Sequence, residues 1–273
     1  MQINTYYNQS TSPQFTSTRE CVRDSLGRVI NCHYSDFNRK DMDWGKFAQM
    51  LLSRFDGKAE NIKINLFGCS DASDVYTLLL HLKKVLGKDF SKLPTIKASD
   101  ISAQMIQKAK NGEILLHERD LQFLDSLDAR QYFIRDYSKP IEQMRGIDFY
   151  PYKVSPELTK HVEFSVKDIR NEAKNYNFSN EVFIFRNGWT FMDLNNQNEV
   201  TKNLSKNSNK KTLCAIGQSD LFKSNASEFF QRNGFKGIES DVFAAGETNY
   251  PSVSIGMPAE KSTYPEFILF EKM

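Results

Sequence analysis

The spacing of apolar residues changes twice along residues 62–100, and this stretch organises the chain. A short apolar run leads into a turn of small residues at 68–71, and a second run at Ile96–Ala98 ends in Ser99 and Asp100. Between them, apolar residues recur at helical spacing. The residues of that helical face are Val75, Leu78, Leu79, Leu82, Val85 and Leu86. The order of strand, turn, helix, strand and acidic residue predicts the opening of a doubly wound nucleotide-binding sheet.

The turn carries the candidate chemistry of this unit. We predict Ser70 or Asp71 as the helix N-cap, with free N–H groups at the helix start for a carboxylate or phosphate. Gly68 lets the backbone pass close to a ligand, and Asp100 can accept hydrogen bonds from ribose hydroxyls. Ala72 stands where a dinucleotide motif would have another glycine. The turn therefore favours S-adenosylmethionine over a dinucleotide, and a plain βαβ unit with a solvated aspartate stays the alternative.

The rest of the chain predicts an α/β fold with a mostly parallel sheet of seven strands and an antiparallel C-terminal edge. The run at 181–185 is apolar throughout, as in a central parallel strand. Further strands are predicted at 161–169, 212–216, 238–243 and 267–271, and helices at 41–55, 102–110, 197–204 and 226–233. We predict a polar N-terminal arm at 1–34, partly ordered or disordered, and one domain at 35–273. A small inserted subdomain is predicted at about 112–160, where two prolines interrupt the pattern.

Composition narrows the possible partners. The net charge is +2, with 40% hydrophobic and 26% charged residues. The chain therefore lacks the strong electrostatic field that would indicate binding to nucleic acid or to a membrane. The four cysteines show no C-x-x-C spacing, the histidines are dispersed, and the N-terminus lacks a signal-peptide core. We therefore expect a reduced, cytoplasmic protein with no metal site, no membrane insertion and no nucleic-acid partner.

Five segments, in order along the chain, resemble the CheR-type methyltransferases, which use S-adenosylmethionine to methylate glutamates of chemotaxis receptors. The segment at 35–39, S-D-F-N-R, is similar to T-x-F-F-R of that family, and G-C-S-D-A-S-D-V-Y at 68–76 is similar to G-C-S-T-G-E-E-P-Y. A-S-D-I at 98–101 matches A-[ST]-D-I. F-R-N at 185–187, with Phe191, Asp193 and Gln197, is similar to C-R-N-x-x-x-Y-F-D-x-x-x-Q, and G-Q-S-D at 217–220 is similar to G-H-S-E.

The resemblance implies a Rossmann-like class I methyltransferase sheet and a role for individual positions. Gly68 and Asp74 would lie near the methionine part of the cofactor, and Asp100 would bind its ribose. Asp168 would approach the adenine and Asn187 would help to hold the cofactor. Arg39 would be the catalytic residue, orienting a substrate carboxylate by a charge-assisted pair. The acceptor would be a protein or a small molecule.

The departures from the family pattern support a second hypothesis. Ala72 and Ser73 replace a glycine and an acid, and Gln218 replaces a histidine. The family's basic N-terminal helical domain has no counterpart in the polar arm. A catalytically degenerate binding or regulatory module is therefore the alternative to a methyltransferase. A nicotinamide-dependent reductase is a third hypothesis, which rests on the βαβ unit and Asp100.

Overall fold

A computed structural model describes residues 21–23, 29–32, 37–39, 41–144, 146–175, 177, 181–242 and 267–273. The strands are β1 (Cys21–Arg23), β2 (Val29–Cys32), β3 (Ile64–Phe67), β4 (Ile96–Asp100), β5 (Glu113–Leu116), β6 (Phe133–Arg135), β7 (Glu142–Met144), β8 (Ile147–Val154), β9 (Val162–Val166), β10 (Val182–Phe185), β11 (Leu213–Ala215), β12 (Phe235–Gly237) and β13 (Leu269–Lys272). The α-helices are α1 (Trp44–Arg54), α2 (Ser73–Leu86), α3 (Ala103–Lys110), α4 (Glu118–Ser126), α5 (Pro156–Thr159), α6 (Ile169–Asn175), α7 (Leu194–Asn207), α8 (Gln218–Lys223) and α9 (Ala226–Arg232).

The main sheet has seven strands in the order β12-β13-β11-β10-β3-β4-β9. Five adjacent strands, β11, β10, β3, β4 and β9, run parallel to one another. At the other edge, β13 runs antiparallel to both β11 and β12. The middle strand is β10, and all four of its residues are buried. This topology confirms the predicted α/β class I sheet with an antiparallel C-terminal edge.

Two predicted strand positions differ at that edge. The strand expected at 238–243 is the shorter β12, which ends at Gly237, and Phe243 lies outside the described residues. The strand begins early because Gly234, with φ +84°, turns the chain directly after α9, and Phe235 is then buried against the ring of Phe230. The final strand begins at Leu269, two residues later than predicted.

The helix of the opening unit is the centre of the core. Most of α2 is buried, and α1 packs along it with Trp44, Phe47 and Leu51 facing inward. A second group forms where α7 packs against both α6 and α9. The predicted N-cap at Ser102 is confirmed, because its hydroxyl accepts the N–H of Met105.

A second, antiparallel sheet lies between residues 113 and 154. Its order is β5-β8-β6, and β7 also pairs with β8. The insertion predicted at about 112–160 covers this sheet, and the division into arm, domain and insertion stays a prediction. Within the predicted arm, β1 pairs antiparallel with β2. Among the described residues, every helix falls short of the length and apolarity needed to cross a bilayer.

Candidate functional site

The turn between β3 and α2 is built from left-handed backbone. Gly68, Ser70 and Ala72 have φ values of +65°, +48° and +69°. The N-cap of α2 is Ala72, so the prediction of Ser70 or Asp71 was wrong. The turn is longer than expected because Asp71 folds back, its Oδ1 accepting both the N–H (3.1 Å) and the hydroxyl (2.6 Å) of Ser73.

Asp100 holds this turn from the neighbouring strand. Its Oδ2 accepts the backbone N–H of Ser70 at 2.9 Å, and its Oδ1 accepts that of Ser102 at 2.8 Å. The side chain is only 2% exposed. The structure therefore gives Asp100 a structural role besides the predicted one.

The ring of Phe185 lies beside Gly68, at the ends of β10 and β3. A Cβ atom on Gly68 would lie 2.9 Å from Phe185 Cε2, and a Cβ atom on Gly188 would overlap the same ring. The ring also packs against Trp189, with centroids 5.3 Å apart. Sequence reasoning missed this residue, although the signal was present: Phe185 stands where the C-R-N segment has cysteine.

Arg186 forms a buried ion-pair network that sequence reasoning also missed. Its Nη1 donates to Asp74 Oδ2 at 2.8 Å, its Nη2 pairs with Asp41 Oδ1, and its guanidinium lies 4.6 Å from the ring centroid of Trp44. The side chain is 2% exposed. The network joins the end of β10 to the first turn of α2 and to the segment before α1.

Arg39 lies at the edge of this network. Burial acts to raise the pKa of Asp41, but the nearby Arg186 and Arg39 guanidiniums and the backbone N–H of Gln218 outweigh it, so the pKa lies below its usual value. The structure thus brings Arg39, half-buried, close to the carboxylate that Arg186 binds. Ser35 and Asp36 of the same motif lie outside the described residues.

Asn187 joins the loops that follow β10 and β11. Its backbone, with φ +57°, donates its N–H to Asp220 Oδ2 at 2.6 Å, and its side-chain Oδ1 accepts the hydroxyl of Ser219. Asp220 also accepts the N–H groups of Gly217 (2.9 Å) and Trp189 (3.1 Å). Burial raises the pKa of Asp220 to about 7, although these N–H groups and Arg186 act to lower it.

Asp168 follows β9, and its carboxylate pairs with Arg170. The guanidinium of Arg170 binds both carboxylate oxygens, with Nε at 2.9 Å from each. Burial acts to raise the pKa of Asp168, but the hydrogen bonds from Arg170 outweigh it and the pKa is lowered. None of the hydrogen bonds or ion pairs described above joins Asp168 to Asp100 or Asn187, and its predicted approach to adenine stays a prediction.

Several buried polar atoms of this region have no hydrogen-bond partner within the described part of the chain. They include Ser70 Oγ, Asp74 Oδ1, Asn187 Nδ2 and Gln218 Oε1. Each such atom costs about 1–3 kcal/mol if it stays unpaired. Two of them, a carboxylate oxygen and an amide nitrogen, suit the ammonium and carboxylate groups of an amino acid. These unpartnered atoms therefore fit the methionine end of S-adenosylmethionine. The described residues contain no group of histidine, cysteine or acidic side chains suited to a metal ion.

Residues 5–237 match the family model described as CheR methyltransferase, SAM binding domain. The chain belongs to this family. The match confirms the predicted CheR-type resemblance and the cofactor, S-adenosylmethionine, and it decides against the reductase hypothesis. For this CheR-family chain, the comparison with curated proteins gives no match.

Solved structures similar to the CheR-family chain include several methyltransferases. Magnesium protoporphyrin IX methyltransferase (ChlM) from Synechocystis PCC 6803, solved with SAM, is 12% identical with a TM-score of 0.39, over 84% of this chain and 78% of that chain. A SAM-dependent methyltransferase from Aquifex aeolicus is 12% identical with a TM-score of 0.38, over 73% and 83%. PKMT2 from Rickettsia typhi, in complex with AdoHcy, is 12% identical with a TM-score of 0.37, over 67% of this chain and 26% of that chain.

Proposed function

We propose that the chain is a methyltransferase that transfers a methyl group from S-adenosylmethionine to a carboxylate oxygen of a protein or a small-molecule acceptor. When bound, S-adenosylmethionine supplies an electrophilic methyl group, which the acceptor oxygen takes as the carbon–sulfur bond breaks and S-adenosylhomocysteine remains. A carboxylate is ionised at neutral pH, so the acceptor needs no general base. The protein's contribution is then positioning, which is worth roughly 7–11 kcal/mol in well-oriented reactions.

The observation that carries this proposal is the position of Arg39. Its guanidinium stabilises the ionised form of Asp41, and Asp41 is connected through Arg186 to Asp74 in the first turn of α2. A guanidinium at this position would orient an acceptor carboxylate toward the cofactor. We assign Gly68 and Asp74 to the methionine part, Asp100 to the ribose, Asp168 to the adenine and Asn187 to the cofactor's carboxylate.

One observation favours the alternative, a degenerate binding or regulatory module. The Phe185 ring takes space beside Gly68 and Gly188 that a smaller residue would leave for a ligand. In this alternative, the protein retains the fold and has lost methyl transfer.

A cytoplasmic location and the lack of a nucleic-acid partner stay predictions. The buried free thiols of Cys69 and Cys214, whose pKa values burial raises, fit a reducing compartment.

Calorimetry with S-adenosylmethionine and S-adenosylhomocysteine on the full chain tests the proposal. Micromolar binding that is lost in Asp100→Ala supports the cofactor assignment. Transfer of a radiolabelled methyl group to protein or small-molecule extracts, released by mild base as expected for a methyl ester, supports carboxylate methylation. Binding without transfer supports the module, and no binding at millimolar ligand contradicts the cofactor site.

A further inference from the structure

The guanidinium of Arg186 is divided between two carboxylates from distant parts of the chain. One of its terminal nitrogens binds Asp74 and the other binds Asp41, and both carboxylates are largely buried. A planar guanidinium presents its donors in a fixed fork, so the two carboxylates also fix its orientation. The face of Trp44 limits movement out of this plane.

Asp74 is held by only one of its oxygens. Its Oδ2 accepts from Arg186, while its Oδ1 is buried and has no partner among the described residues. A carboxylate oxygen kept free at this depth is costly unless a ligand donates to it. An ammonium group is a suitable donor, because its N–H groups form charge-assisted hydrogen bonds with a carboxylate.

Asp41 prevents Arg186 from neutralising Asp74 completely. Asp41 binds Nη2 of Arg186, so Asp74 receives a hydrogen bond from Nη1 alone. Without Asp41, the guanidinium could turn and bind both oxygens of Asp74, as arginine commonly does with a carboxylate. The second acid therefore keeps Asp74 Oδ1 available.

We propose that Arg186 and Asp41 are positioning residues for the α-ammonium group of the cofactor, which they serve by fixing Asp74 with Oδ1 free. This inference rests on the proposed function and adds two residues to it. Neither residue touches the cofactor in this assignment, because they act through Asp74. Substitution of Arg186 or Asp41 should therefore weaken the binding of only those ligands that contain the amino-acid end of the cofactor.

Two ligands separate this role from a general effect on folding. S-Adenosylhomocysteine has the amino-acid end, and 5′-methylthioadenosine lacks it while keeping the adenosine. In Arg186→Lys, which keeps the charge and loses the fork, we expect calorimetry to show at least tenfold weaker binding of S-adenosylhomocysteine and less than twofold change for 5′-methylthioadenosine. Arg54→Lys is the matched control, since Arg54 lies on α1 and pairs with Glu271 of β13, and both affinities should be unchanged.

Asp41→Asn provides a second variant if Arg186→Lys does not fold, because it leaves the pair of Arg186 and Asp74 in place. We expect this variant to bind S-adenosylhomocysteine threefold to tenfold more weakly and 5′-methylthioadenosine as well as the wild type does. Asp43→Asn is its control, since Asp43 caps α1 and asparagine is an equally good N-cap. Equal losses for both ligands, or no loss for either, would overturn the inference. If the wild-type chain binds neither ligand, the proposed function itself fails, and the inference with it.

Discussion

The carboxylate of Asp100 accepts the backbone N–H of Ser70 at 2.9 Å, across 30 residues of sequence. This bond connects the end of β4 to the turn that follows β3. Neighbouring parallel strands end at the same edge of a sheet, where α/β proteins bind their ligands. The residue predicted to hold the ribose therefore also shapes the turn that would receive the rest of the cofactor.

We expect Asp100→Ala to lower the free energy of unfolding by about 2–4 kcal/mol, because two backbone N–H groups, those of Ser70 and Ser102, lose their acceptors. Urea denaturation measures this change. Asp89→Ala is the control: Asp89 is partly exposed and pairs with Lys92 at the surface, so the urea midpoint of this variant should equal that of the wild type. A midpoint for Asp100→Ala equal to that of the wild type would contradict the role in the turn.

Asp100→Ala should also abolish binding of both S-adenosylhomocysteine and 5′-methylthioadenosine, since both ligands contain the ribose. Calorimetry at a temperature where the variant is fully folded, as judged by circular dichroism, measures both affinities. This pattern differs from that expected for Arg186→Lys, which should weaken only the binding of S-adenosylhomocysteine. Retained binding of 5′-methylthioadenosine would remove Asp100 from the ribose site.

The free energy of unfolding should depend on pH through Asp220. Its pKa is about 7 in the folded protein, compared with about 3.9 for an unfolded aspartate. Between these values the folded state holds a proton that the unfolded state has released, so Asp220 makes the folded state less stable as the pH rises from about 4 through about 7. Urea denaturation of the wild type and Asp220→Asn at about pH 5 and about pH 8 tests this.

In Asp220→Asn that proton is absent, so the variant should lose less stability than the wild type between the two pH values. Comparing the two proteins cancels the other titrating groups. Parallel pH profiles for the two proteins would show that Asp220 is already ionised in the fold, with its three backbone N–H donors holding the charge.

Gly68→Ala should lower the free energy of unfolding by more than the left-handed backbone alone would cause. The new methyl group would meet the Phe185 ring at 2.9 Å, in addition to the strain of about 1–2 kcal/mol for a non-glycine residue in this region. Gly57→Ala isolates the backbone cost, because Gly57 has φ +72° with nothing within 4 Å of a Cβ atom.

Phe185→Cys in the Gly68→Ala background should recover the excess loss, and a double-mutant cycle by urea denaturation measures the coupling. Additive effects would show that the ring does not restrict this turn.

The opening βαβ unit could be predicted from the sequence because its signals are local. The apolar run of β3, the helical face of α2 and the cap at Ser102 each depend on residues within a few positions of one another. The partners of Arg186 could not be predicted, because the F-R-N segment gives no sign of the two carboxylates that its arginine binds. The cap at Ala72 was missed although the contact is local: Asp71 accepts the N–H and the hydroxyl of Ser73, and α2 begins after Ala72.

The family resemblance supplied the candidate site, and the structure supplied its connections. Five of the six predicted site residues lie in or next to the turns and loops that follow β3, β4, β9 and β10, as expected for ligand-binding positions of a parallel sheet. The motifs gave no warning that Asp168 pairs with Arg170, nor that Arg186 binds both Asp41 and Asp74. These contacts depend on side-chain packing, which a motif does not specify.

The ion pairs of Arg186 have a consequence for how the protein reaches its folded state. Its partners precede it by 112 and 145 residues, so closing this network requires contacts of very long sequence separation, which form slowly. During synthesis, Asp41 and Asp74 emerge well before Arg186, so we expect both carboxylates to stay hydrated until β10 joins the sheet. An N-terminal half of the chain could form β3, α2 and β4 but would lack the cation that orients Asp74. Cofactor binding would thus report completion of the sheet.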